Sequence, residues 1–113
     1  MLRTKKLSSG KYKIIMDKGD YGLPLVMRFT NNNGQILNTD TLLFKIKSNN
    51  ENIIEQTYTN FQTDENENLF FTFSLTKEES EKLTKNAYTY EVEIYRESEY
   101  LNTLINDELF EIR

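Results

Sequence analysis

Residues 88–94 read Tyr-Thr-Tyr-Glu-Val-Glu-Ile, and no other stretch constrains the fold as tightly. Tyr88, Tyr90, Val92 and Ile94 share one parity, and Thr89, Glu91 and Glu93 share the other. Side chains alternate across a strand, so this period describes a sheet with one face buried and one face wet. The same alternation recurs in Leu23–Phe29, in Leu42–Lys47 and in Leu69–Leu75. A chain patterned in this way is expected to form an all-β, antiparallel fold.

Breaks between these runs carry turn chemistry. Asp17-Lys18-Gly19-Asp20 closes a first strand at Tyr12–Met16, with Gly19 suited to a positive φ. Asn31-Asn32-Asn33-Gly34 is a hairpin signal, because Asn-Gly tolerates left-handed conformations. Ser48–Asn52 turns the chain into a partner strand at Ile53–Thr59. Thr63–Asn68 is an acidic, amide-rich loop. Arg96–Glu99 makes a hairpin into Tyr100–Ile105, and Asn106-Asp107 is expected to turn the chain again into a last strand, Glu108–Arg113.

One helix interrupts the strands. Thr76-Lys77-Glu78-Glu79 has the spacing of a capping box, and Glu78 and Glu79 suit the positive end of the helix dipole. The spacing predicts a helix over about Lys77–Thr84 that lids one end of the core, with Leu75 and Leu83 as plugs. Seven or eight short strands with one short helix point to a β-sandwich. A chain of 113 residues is one domain. Residues 11–113 are expected to form it, preceded by a flexible basic arm at residues 1–10 that carries Arg3, Lys5 and Lys6.

Composition narrows the chemistry. The chain has no cysteine and no histidine. Thiol catalysis, thiolate metal sites and Ser-His-Asp arrangements are therefore excluded. Asp17 and Asp20 flank Gly19, and Asp64, Glu65 and Glu67 crowd one loop, but neither cluster has EF-hand spacing. Gly19 and Gly22 do not have the spacing of a phosphate loop. No catalytic residue, cofactor or metal is expected. A net charge of −4 argues against nucleic acid as the partner. No apolar run approaches the length of a membrane helix or of a signal peptide, so no membrane association is expected.

Contacts with other proteins remain. Tyrosine is large, stiff and amphipathic, and it is enriched in contact surfaces. Tyr88 and Tyr90 fall on the buried register, while Tyr58, Tyr95 and Tyr100 fall outside a clear register and are the candidate contact residues. Tyr12–Met16, Ile53–Thr59 and Glu108–Arg113 are candidate edge strands, which offer unpaired backbone groups to another chain.

The ordered landmarks resemble a known family. They are Asp17–Asp20, the apolar strand Leu23–Phe29, the Asn33-Gly34 turn, Phe71–Thr76 leading into the acidic helix, Asn86–Ile94, Thr103–Ile105 and Phe110–Ile112. Together they resemble the small immunoglobulin-like domains of tailed-phage virion proteins, in particular the N-terminal domain of baseplate upper proteins. The resemblance implies an immunoglobulin-like sandwich with a structural, non-enzymatic role. It implies a location in the virion after synthesis in the host cytoplasm. The implied partners are other virion proteins and further copies of the chain, as a trimer or hexamer. Two other readings of a compact acidic β domain are an inhibitor of a host enzyme and a carbohydrate-binding module. The absence of tryptophan counts against the second.

Overall fold

The computed structural model describes residues 2–29, 36–37, 39–59, 62–63 and 68–113. The Asn31–Gly34 turn and the acidic loop residues Asp64, Glu65 and Glu67 lie outside these. The described strands are β1 (Arg3–Lys6), β2 (Tyr12–Met16), β3 (Leu25–Phe29), β4 (Thr41–Ser48), β5 (Glu51–Tyr58), β6 (Gln62–Thr63), β7 (Leu69–Phe73), β8 (Ala87–Arg96) and β9 (Glu99–Ile112), with helix α1 (Lys77–Lys82) before β8.

Two sheets face each other. The larger has the order β1-β2-β9-β8-β4-β5 and the smaller β3-β7-β6. Every pairing is antiparallel except β2 with β9, which run parallel through Ile14↔Phe110, Ile15↔Glu111 and Met16↔Ile112. Consecutive strands β3 and β4 belong to different sheets, as do β5 and β6, and β7 and β8. This alternation between layers makes a β-sandwich. The fully antiparallel expectation fails at β2 alone. β1 and β2 both belong to the larger sheet, and β2 joins it beside β9 running in the same direction.

The alternation of β8 becomes the centre of the core. Tyr88, Tyr90, Val92 and Ile94 are buried with Leu42, Phe44 and Ile46 of β4 and Phe110 of β9. From the smaller sheet come Met27, Leu69, Phe71 and Phe73. The layers meet through aromatic rings. Phe44 and Phe73 lie 4.3 Å apart between centroids, and Phe73 meets Phe110 edge-on at 6.5 Å. Tyr90 keeps its hydroxyl satisfied by donating to the Tyr12 carbonyl at 2.7 Å. That bond fastens the start of β2 to the core.

Residues 3–6, within the expected flexible arm, form a strand paired with β2 from Arg3↔Ile15 to Lys6↔Tyr12. Leu2 explains this, because it is buried in the core and draws the following residues along the β2 edge. Asn106-Asp107 does not turn the chain. β9 runs unbroken through it, and Asp107 takes a left-handed φ of 49° where the register shifts opposite Glu91. An extra residue in one strand produces a bulge of this kind. A bulge and a tight turn use the same residue types, so the sequence signal is shared.

Helix α1 is shorter than its spacing suggests, with Leu83 as its C-cap. The capping box is complete: Glu79 N–H donates to Thr76 Oγ1 at 3.1 Å, and Thr76 N–H donates to Glu79 Oε1 at 2.9 Å. None of its six residues is buried, while Leu75 and Leu83 on either side plug the core. With so little packing of its own, the helix depends on its cap. Thr76→Ala is expected to cost about 1 kcal/mol, read as a lower urea midpoint with an unchanged slope. An unchanged midpoint would show that the helix is held by its flanking leucines alone.

Candidate contact surface

The outer face of the larger sheet is built from the residues that alternate with the core. On β4 these are Leu43, Lys45 and Lys47. On β8 they are Thr89, Glu91, Glu93 and Tyr95, and on β5 they include Glu55 and Thr57. Across the middle, Lys45 Nζ lies 2.5 Å from Glu93 Oε1, and Lys47 Nζ lies 3.4 Å from Glu91 Oε2 and 3.2 Å from Asp107 Oδ1. The hydrogen bond to Glu93 raises the pKa of Lys45, and that to Asp107 raises the pKa of Lys47. Further across, Lys13 of β2 reaches Glu111 of β9 at 3.4 Å. Charge therefore runs across the sheet in bands. β5 is acidic on this face, β4 basic, β8 and β9 acidic, and β2 and β1 basic.

The three candidate tyrosines do not form one site. Tyr58 pairs with Leu42 on the inward register, and its ring packs on Phe71 of the other sheet at 4.7 Å. Its hydroxyl donates to Gln56 Oε1, and burial pushes its pKa up to about 12. Tyr58 is thus a core-rim residue. Tyr95 and Tyr100 are opposite each other on β8 and β9, edge to face at 6.0 Å. The turn between these strands is Glu97-Ser98, both with positive φ. Such a two-residue turn fits the twist of a hairpin and holds its tip in one conformation. Tyr100 is 56% exposed and Leu101 beside it 44%. Tyr100 Oη and Thr103 Oγ1 share a hydrogen bond of 2.8 Å, which fixes the ring direction.

Behind this corner is Asp40, the one buried charged residue among those described. Its carboxylate accepts from Arg96 Nε at 2.8 Å, Arg96 Nη2 at 2.9 Å and the Leu37 N–H at 2.9 Å. The Arg96 hydrogen bonds hold its pKa below the usual carboxylate value. The pair ties the segment before β4 to the end of β8, next to the Tyr95–Tyr100 corner. Nothing in the local sequence marks it. Asp40 and Arg96 are 56 positions apart, and only the adjacency of β4 and β8 brings them together.

The edges differ from the sequence expectation at two of three places. β2 lies between β1 and β9, and the end of β9 lies between β2 and β8, so neither is an edge. β5 is one, and β1 is the other edge of the larger sheet. Among the described residues, no group of three or more acidic side chains is arranged to hold a metal ion. No helix among them is long and apolar enough to cross a membrane.

No protein-family model matches the chain, and no curated protein or solved structure is detectably similar to it.

Proposed function

We propose that the chain is a non-enzymatic structural module of a phage or phage-tail-like particle, placed in the tail or baseplate. It acts through contacts with copies of itself, as a trimer or hexamer, and with neighbouring virion proteins. The exposed corner formed by Tyr95, Tyr100 and Leu101 carries the reading. It is apolar surface held at the tip of a tight hairpin and braced from behind by the Asp40–Arg96 pair. Rigid aromatic groups at a fixed tip lose little entropy on docking, which suits a permanent assembly. The resemblance of the ordered strand and turn landmarks to baseplate-type domains supports the same reading, as does the β-sandwich architecture.

Light scattering through a sizing column, over a range of concentrations, tests self-assembly. A discrete trimer or hexamer is expected. A monomer at every concentration would remove the self-assembling half of the proposal. Mass spectrometry of purified particles tests the location. A chain carrying Tyr100→Ser with Leu101→Ser is expected to be incorporated several-fold less well, with an unchanged melting temperature. Normal incorporation of that variant would show that the corner is not the contact.

A further inference from the structure

We infer that copies of this chain join edge to edge and head to tail, with β1 of one copy adding to the Glu51–Glu55 half of β5 on the next. This deepens the assembly reading and rests on it, by naming the surfaces through which the copies meet.

Three observations lead there. First, β1 and β5 are the two ends of one six-stranded sheet, and each has a strand on only one side among the described residues. The alternation of directions across the sheet makes them point the same way. A second copy placed beside the first by a simple rotation therefore brings β1 against β5 as a parallel pair. Second, the two edges carry opposite charge. β1 reads Arg-Thr-Lys-Lys, and β5 has Glu51 and Glu55 with no cation. Lys5, Lys6 and Glu51 enter no ion pair among the described residues. Glu79 of the helix, accepting from Gln56 Nε2 at 3.0 Å, adds a carboxylate on the β5 side. Third, the outer face is already banded in alternating charge. Placing the basic end, β1, beside the acidic end, β5, continues that banding across the joint.

Helix α1 limits which part of β5 is open. Gln56 is held by the Ser74 carbonyl and by Glu79, so the helix flanks the second half of β5. The first half remains, and Glu51–Glu55 is long enough to pair all four residues of β1.

The same charges select the geometry. Lysines on an edge strand ordinarily guard it against pairing. Here they oppose β1 against β1, and the glutamates oppose β5 against β5, so both two-fold arrangements meet like charge. Only the unlike pairing is left. A head-to-tail contact makes a ring when its rotation closes. Each joint is small, and closure adds the joints together.

Charge exchange tests this. One protein carries Lys5→Glu and Lys6→Glu, and the second carries Glu51→Lys and Glu55→Lys. Each alone is expected to run as a monomer by light scattering at concentrations where the unmodified chain is oligomeric. An equimolar mixture is expected to assemble with the two variants alternating, in even-numbered species, because each edge finds its opposite charge only on the other variant. The chain with all four changes is expected to assemble alone. Raising the salt to 0.5 M is expected to loosen the unmodified oligomer, since surface charges are screened over about 10 Å at 0.1 M and over less as salt rises. If the unmodified chain is oligomeric and both variants remain so, or if the mixture stays monomeric, the edge pairing is wrong while assembly itself stands. An unmodified chain that is always monomeric removes both.

Discussion

Phe44→Ala is expected to lower the unfolding free energy by about 4 kcal/mol. Phe44 is fully buried in β4, which has strands on both sides, and its ring stacks with Tyr90 at 5.8 Å as well as meeting Phe73. Truncation removes a ring that touches both layers. The neighbours are anchored in different sheets, so they cannot close the gap by moving together. A domain of this size has a total stability of about 5–15 kcal/mol, so the variant would sit near the limit of folding at 37 °C. Each kcal/mol moves the melting temperature of a domain of about 100 residues by roughly 4–8 °C, and calorimetry would show a drop of tens of degrees. Phe44→Leu keeps most of the volume and should cost far less. A loss below about 1 kcal/mol for Phe44→Ala would mean that the layers are not joined through this ring.

Asp40→Ala is expected to cost about 2 kcal/mol, as for hydrogen bonds to a charged group. The carboxylate is 1% exposed, and its removal leaves the Leu37 N–H without its acceptor. The Arg96 side chain is more open, so water recovers part of its loss. The pH dependence has a definite sign. Asp40 has a folded pKa below 3.8, held down first by Arg96 and then by the Leu37 N–H. A carboxylate depressed in this way contributes fully above the unfolded pKa, and its contribution fades as pH falls through the folded value. The urea midpoint should therefore fall on acidification below about pH 5. In Asp40→Asn part of that fall should be missing. An identical acid profile for the two proteins would show that the pair does not support the fold.

Legibility in the sequence followed how local each cause is. The alternation from Tyr88 to Ile94 is enforced by neighbouring residues and the two faces of one strand, so the body of β8 could be read from pattern alone. The capping box is equally local, since Thr76 and Glu79 satisfy each other within one turn. Leu75 and Leu83 were legible as plugs for the same reason. The features that escaped depend on distant partners. β1 exists because Leu2 finds the core, and Arg-Thr-Lys-Lys read alone describes a solvated tail. The Asp107 bulge depends on what faces it in β8. Tyr58 has the composition of a surface residue and is turned inward by its register with Leu42. The pattern around Tyr95 and Tyr100 did not fix their face, and their edge-to-face contact follows from the hairpin that joins them.

The parallel pairing of β2 with β9 has a bearing on how the chain can be made. β2 is synthesised early, yet among the described residues the only strands it pairs with are β1 and β9. Until β9 leaves the ribosome, β1 and β2 form an isolated two-stranded ribbon, which has little stability in water. Ile14 and Met16, buried in the finished core, stay exposed throughout that interval. β4, β5 and β8 can meet in the meantime, but their sheet ends at an open β8 edge. A chain cut before Phe110 lacks the strand that joins β2 to the rest of the larger sheet, and its first apolar strand keeps only β1 as a pairing partner.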